Sequence, residues 1–274
     1  MKLSIITINY NNASGLRRTI ESVVNQTSLE FEYIVIDGAS TDGSVEIIKE
    51  YKEKITFWVS EPDNGIYNAM NKGIKIANGE YCQFLNSGDY IIANNVTEKM
   101  LKGISGVSIL YGNLLKQLPR GLHRDSGFEG KQPSMLNFFR STMNHSSAYI
   151  KRSLFKQYGL YDESLRIVSD WKFFLQVIIF GEEEAIYKDL DMVVFDLNGI
   201  SSINKELDKK ERKDVLETFL PKNILIDYEK YSSSIRHWER VERYSFTRLI
   251  FWLIERSLFK LEKFKSRKKN FKIN

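Results

Sequence analysis

Over the first ninety residues, short apolar runs alternate with polar loops and with segments of helical periodicity. "LSIITI" (3–8) is a near-continuous, β-branched apolar run, the pattern of a strand buried on both faces. The polar "NYNNASG" follows, and from Ser14 to Gln26 the positions Leu16, Ile20, Val23 and Val24 share one helical face. The alternation continues with a strand in "FEYIVID" (31–37), a helix capped by Ser40, Thr41 or Asp42, a strand in "ITFWVS" (55–60), a helix over Ile66 to Ala77 and a strand in "EYCQFL". This predicts βαβ units and a mostly parallel sheet with helices on both faces. Such sheets bind ligands outside the carboxyl ends of their strands. The four tips here are polar: Asn9 and Tyr10, Asp37, Glu61 and Asp63, and Asn86 to Asp89.

The pattern loosens after residue 91. "VSILYGN" (107–113) reads as a strand, and "GLHRDSGFEGKQPSML" as a polar loop beside the site, with His123 and Arg124 as candidate phosphate contacts. From His145 the chain reads as a strand, a short helix, a loop and a long apolar helix. "DMVVFD" gives a late strand, and "NGIS" (198–201) a turn at the edge of the site. From Lys205 the chain is charged and helical, with a break at Pro221. Beyond Arg236 it reads as one amphipathic helix, with Phe246, Ile250, Ile254, Leu258 and Leu261 set among Arg240, Arg243, Arg248, Arg256, Lys260 and Lys263.

Charge sharpens this division. The last 39 residues hold twelve Lys or Arg against four Glu, a net +8, so the other 235 residues carry −3 of the chain's +5. A basic, aromatic-rich apolar stripe suits an anionic membrane surface; a helix packed on the domain or on a second copy, as a homodimer, is the alternative. An acidic remainder without a recognition motif argues against nucleic acid. The lone Cys82, within an apolar run, excludes an internal disulfide and suits a reducing, cytoplasmic setting as a core thiol. No signal peptide and no apolar run of membrane-spanning length is expected.

The strand tips carry the candidate chemistry. A planar base could stack on Tyr10, and an imide N–H could donate to Asp37. A divalent cation could sit on Asp89 among phosphate oxygens. The same residue types also cap helices and form turns; their recurrence at successive strand ends is what favours a site. "NYNNASG" is neither a Gly-rich, basic phosphate loop nor a G-x-G-x-x-G, which argues against a sugar-phosphate nucleotidyltransferase and a dinucleotide-binding dehydrogenase.

Read together, "SIITINYNN", "IVIDGASTDGS", "EPDNGIYNAMNKGIKIANGEYCQFLNSGDY" and "SDWKFFL" resemble the family 2 glycosyltransferases over roughly residues 2 to 200, most closely the bacterial branch that builds surface and exopolysaccharides. The resemblance implies a GT-A fold, an inverting transfer from a nucleotide-diphosphate sugar to a saccharide or lipid-linked acceptor, and a Mg²⁺ or Mn²⁺ cofactor. It implies a catalytic domain over 1–204, with a nucleotide-binding half (1–90) and an acceptor half (91–204), and a helical basic extension over 205–274. Asp170 stands at the place of the catalytic base. Thr7, Asn9, Tyr10, Asp37, Asp63, Asn71, Ser87, His145 and Trp171 form the expected donor-contacting set, and Asp89 the metal ligand. Two departures stand out. Ile36 and an extra Ala39 alter the second-strand motif, and Asn86 and Gly88 replace both carboxylates of the family's metal motif. A non-catalytic sugar- or membrane-binding module on the same fold is therefore the alternative reading.

Overall fold

A computed structural model of the protein describes residues 1–128, 130, 132–197, 199 and 204–270, with side chains as far as Lys260. The chain divides into two compact units, Met1–Thr218 and Phe219–Asn274. The first unit thus runs past residue 204, the boundary expected from sequence.

Among the described residues the first unit holds a nine-stranded sheet: β1 (Leu3–Asn9), β2 (Phe31–Asp37), β3 (Phe57–Ser60), β4 (Tyr81–Asn86), β5 (Tyr90–Ile91), β6 (Ile109–Leu118), β7 (Gly121–Asp125), β8 (Ala148–Lys151) and β9 (Ala185–Phe195). Their order is β3-β2-β1-β4-β8-β6-β9-β5, with β7 paired to β6. β1 to β4 are mutually parallel, and β8 joins them antiparallel to both β4 and β6.

Helices α1 (Ala13–Val24), α2 (Ser44–Glu50) and α3 (Ile66–Ile76) connect the parallel strands. All seven β1 residues are buried. Leu3 and Ile5 join the core made with Leu16, Ile20 and Val23 of α1, whereas Ile6, on the opposite face, meets α3 at Gly73. This period-two alternation covers both faces, as a continuous apolar strand requires. The connection from β3 to β4 passes back across β1. The strand order therefore reverses beside β1, where α/β sheets open a crevice.

The remaining helices of this unit are α4 (Val96–Leu101), α5 (Met135–Arg140), α6 (Ser153–Tyr158), α7 (Ser169–Phe174) and α8 (Lys205–Phe219). The long apolar helix expected after Asp170 is only six residues of α-helix before it widens into a π-helical stretch, Leu175–Phe180. The polar loop expected at 121–136 begins instead as β7, because β6 runs on to Leu118 and offers Leu114–Leu118 as a partner edge.

The second unit contains α9 (Lys222–Glu242) and α10 (Ser245–Asn270). Pro221 caps α9, as the sequence suggests. The single helix expected from Arg236 is interrupted between Glu242 and Ser245.

Candidate active site

The parallel strands end level. Asn9 is the register partner of Asp37, Asp37 of Ser60, and Ile8 of Asn86. Outside these ends opens a cavity of about 1220 Å³ whose walls include Asn9, Tyr10, Asp63, Ser87, Asp89, His145 and Asp170. The structure thus gathers residues separated by up to 161 positions around one space.

Tyr10 is 67% exposed on this wall. Tyr10 and Asp63 close over Gly38: a Cβ there would lie 2.6 Å from Asp63 Oδ2 and 3.2 Å from the Tyr10 ring. Asp63 Oδ1 accepts the Gly65 N–H at 2.8 Å, which fixes the loop leading into α3.

Asp37 is fully buried and is absent from the cavity wall. Its Oδ1 accepts from Asn9 Nδ2 (2.7 Å) and the Ser40 hydroxyl (2.6 Å), and its Oδ2 from the Ser40 N–H (2.9 Å) and the Ser60 hydroxyl (2.6 Å). Four internal donors engage it, and it organises the Gly38–Ser40 loop. Asn9 does line the cavity, and its buried Oδ1 has no partner.

Thr7, Asn71 and Trp171 are buried and do not line the cavity. Thr7 lies on the α1 face of β1 and accepts from the Tyr33 hydroxyl at 3.0 Å. Asn71 is bonded through both ends of its amide to the Tyr161 backbone and also to Glu163. The Trp171 indole N–H donates to the Phe138 carbonyl at 3.1 Å. His123 and Arg124 lie on β7, where Arg124 pairs with Asp191 at 2.8 Å, away from the cavity. Of the expected "NGIS" turn, Asn198, Ile200 and Ser201 lie outside the described residues.

The "NSGD" turn is pinned from α1. Asn12 donates to the Ser87 carbonyl (2.9 Å), Arg18 to the Gly88 carbonyl (2.6 Å) and Thr19 to the Asp89 carbonyl (2.6 Å). Gly88 has φ +110°, a conformation suited to glycine, and Asp196 crowds the space a Cβ would fill. Asp89 Oδ1 accepts the Asp196 N–H at 2.9 Å. Asp89 Oδ2 and Asn86 Oδ1 are both buried and unpartnered. Burial pushes the Asp89 carboxyl up to about 7, against the opposing Asp196 N–H and the nearby His145.

Asp170, in the first turn of α7, is engaged at both oxygens. Oδ1 accepts from the Tyr67 hydroxyl at 2.8 Å, and Oδ2 lies 2.7 Å from His145 Nδ1. Burial alone would raise its pKa; the His145 bond and charge, with Tyr67, outweigh that and hold it below the usual carboxylate range. His145 shows the converse. Burial would lower its pKa, but the Asp170 bond and charge raise it. Its Nε2 is buried without a partner.

The sequence reading missed several residues here. Arg18, Tyr67, Arg166 and Asp196 all line the cavity. Glu211 of α8 lies behind it and takes the N–H groups of Arg166 (2.8 Å), Ile167 (2.9 Å) and Val168 (3.3 Å). Arg212 stacks 4.6 Å from the Trp171 ring. Tyr67 lies within "EPDNGIYNAM", so its place beside the site is legible in the sequence. Nothing in "KELDKKERKDVLETF" distinguishes Glu211 from its charged neighbours. Among the described residues, no group of three or more His, Cys, Asp or Glu side chains is placed to hold a metal.

Comparison with known proteins bears on the family and the fold. Residues 4–158 match the family Glycosyl transferase family 2. The "Uncharacterized glycosyltransferase Rv1514c" of Mycobacterium tuberculosis is 34% identical over 207 residues, covering 73% of this chain and 77% of that protein. The "PGL/p-HBAD biosynthesis glycosyltransferase Rv2957" of the same organism is 24% identical over 216 residues, covering 76% and 81%. Among solved structures, Staphylococcus aureus TarS 1–349 in complex with UDP superposes with a TM-score of 0.61 at 22% identity, over 71% of this chain and 60% of that one. The mannosyltransferase PcManGT from Pyrobaculum calidifontis, in complex with GDP-Man and Mn²⁺, gives 0.58 at 19% identity, over 71% and 56%.

Proposed function

The chain belongs to glycosyl transferase family 2 and has a GT-A-like fold; from that premise we propose that it transfers a sugar, with inversion, from a nucleoside-diphosphate sugar to a saccharide hydroxyl, free or lipid-linked, in polysaccharide biosynthesis. The observation that carries this reading is the buried Asp170 carboxylate on the wall of the same cavity as the "NSGD" turn and the exposed Tyr10 ring.

In this reading Tyr10 stacks on the base, and Asp63 and Asn9 Oδ1 offer acceptors beside it. A uracil-type imide suits those acceptors and thymine offers the same imide; of the two, a UDP-sugar is the donor we favour. Arg18 and Arg166 bring positive charge to the cavity that the diphosphate would enter. Asp170 takes the acceptor's hydroxyl proton as that oxygen bonds to the anomeric carbon. The bond from that carbon to the diphosphate breaks on the opposite face, and its electrons leave with the nucleoside diphosphate.

The turn also fits a divalent cation, Mg²⁺ or Mn²⁺. Two buried oxygens, Asp89 Oδ2 and Asn86 Oδ1, lack partners within one four-residue turn. One carboxylate and one carbonyl oxygen, completed by phosphate oxygens, suit such hard ions. When bound, the cation would neutralise charge developing on the leaving diphosphate.

Calorimetry with UDP, GDP and dTDP, each with and without Mn²⁺, followed by transfer assays with the matching sugars, tests the reading. Binding of one diphosphate and transfer with inverted anomeric configuration are expected. Absence of any nucleoside-diphosphate binding would overturn it.

A further inference from the structure

The second unit carries a surface unlike that of the first. In α10 the run "LIFWLI" (249–254) turns through about 500° at 100° per residue, so no side of the helix is polar along it. All six side chains are 40–54% exposed. Phe246 and Phe259, near the two ends of the apolar stretch, are exposed as well. An exposed apolar stretch of this kind marks a surface that protein or lipid covers. Local contacts offset this in part: the Trp238 ring meets Phe251 edge-on at 4.6 Å, and the Arg256 guanidinium lies 4.9 Å over the Trp252 ring.

The surrounding charge is specific. Arg236, Arg240, Arg243, Arg248, Arg256 and Lys260 are all exposed around this run. The net charge from residue 236 to the end is +8. The same segment of a second copy would bring another +8 against the first. An anionic bilayer supplies both an apolar boundary and the opposite charge. Trp252 and Tyr244 are the amphipathic ring types that settle at headgroup level. No described helix is long and apolar enough to cross a membrane.

We propose that the α9–α10 hairpin docks on an anionic lipid bilayer, with residues 246–259 lying in the interface plane and the flanking arginines on lipid headgroups. This surface stands independently of the glycosyltransferase reading. If both hold, docking confines the catalytic unit to the surface where a lipid-linked acceptor would reside.

The test is co-sedimentation of the full chain with sucrose-loaded vesicles of phosphatidylcholine alone, or with about one third phosphatidylglycerol. Binding to the anionic vesicles at least tenfold tighter than to neutral ones, weakening as salt rises, is expected. The triple variant Ile250→Glu, Leu253→Glu, Phe246→Glu should lose it, with an unchanged thermal unfolding transition and circular dichroism spectrum. Arg243→Glu with Arg248→Glu, which leaves the apolar run intact, should weaken anionic binding alone. The proposal is overturned if the parent ignores both vesicle types, if it binds them equally, or if the triple variant binds like the parent. It is also overturned if light scattering shows a parent dimer that the triple variant breaks while neither sediments with vesicles. No arm depends on catalysis, so this outcome is separable from that of the nucleotide experiments.

Discussion

His145 Nδ1 lies 2.7 Å from Asp170 Oδ2, while the Tyr67 hydroxyl stands 2.8 Å from Asp170 Oδ1. Each carboxylate oxygen therefore has a fixed partner and retains a second lone pair for an incoming hydroxyl. The pair also fixes charge. These bonds keep the buried Asp170 anionic near neutrality, and the anion in turn favours a proton on His145.

Asp170→Asn keeps shape and removes basicity. Steady-state transfer should fall by roughly 10²–10⁴, the usual contribution of a positioned acid or base, while calorimetric affinity for the nucleoside diphosphate stays within about threefold. Transfer at the parent rate would show that another group takes the proton. His145→Gln removes the main influence lowering the Asp170 pKa and leaves burial, which raises it. The acidic limb of the kcat/KM profile should therefore move to higher pH; an unmoved limb would mean that Asp170 does not set it.

The cation reading predicts a trade between function and stability at Asp89. Its folded pKa, about 7, is raised by burial above the ordinary carboxylate value. Without metal the folded state therefore binds the extra proton, and stability declines as pH rises from about 4 towards 7. Asp89→Asn should raise the melting temperature of the metal-free protein at pH 8 and have little effect at pH 4. In the presence of nucleoside diphosphate it should weaken Mn²⁺ binding roughly tenfold or more, as should Asn86→Ala. Unchanged Mn²⁺ affinity in both variants would remove the turn as the cation site.

The parallel half of the fold was legible because β1, β2 and β4 are buried on both faces and therefore read as unbroken apolar runs. Their polar tips were legible as a site for the same reason, since chain order places them at one edge. What could not be read was which way a tip residue points. Thr7 and Asn9 differ by two positions, yet Thr7 turns to the Tyr33 hydroxyl and Asn9 stays at the cavity. The four donors that Asp37 accepts come from Asn9, Ser40 and Ser60, partners that no local pattern identifies. Glu211 was invisible because its role is a long-range bond to three backbone amides, which leaves no local pattern.

Those assignments separate Tyr10 from Asp37 experimentally. Tyr10→Ala removes an exposed ring and should weaken nucleoside-diphosphate binding by about 0.5–1.5 kcal/mol, the worth of an aromatic stack, with melting unchanged. Asp37→Asn puts an amide N–H₂ among four donors, and should cost about 1–3 kcal/mol of stability for each buried group left unpaired. Equal, purely functional effects of the two variants would contradict the buried network.

Acid stability should report on Glu32, which is buried on β2 and accepts from the Ser4 hydroxyl and the Asn78 and Gly79 N–H groups. Burial would raise its pKa, but those donors outweigh it and the net shift is downward. A depressed folded pKa stabilises fully above the unfolded value, near 4.5, and is lost as pH falls through the folded value. Parent melting temperature should therefore drop steeply below about pH 4.5, and Glu32→Gln should flatten that drop while lowering stability by about 1–3 kcal/mol at pH 7.

Glu211 offers the sharpest test of how α8 serves the site. It belongs to the compact unit that holds the cavity, and its carboxylate takes three successive N–H groups just before the turn that presents Asp170. The Ile167 carbonyl in that same segment lies 2.6 Å from the Tyr67 hydroxyl, the group that also meets Asp170. Loosening this segment should therefore disturb Asp170 through Tyr67 and the start of α7, while Tyr10, Asn9 and the "NSGD" turn, held by other elements, stay in place. Glu211→Ala should lower kcat by roughly tenfold or more, since small misplacements of a reacting group are costly, with the Kd for nucleoside diphosphate within about threefold. Glu211→Gln retains one acceptor oxygen and should recover part of the loss. A matched fall in kcat and nucleotide affinity, or in both and in melting temperature without rescue by glutamine, would mean that Glu211 supports the fold at large and not the geometry of Asp170.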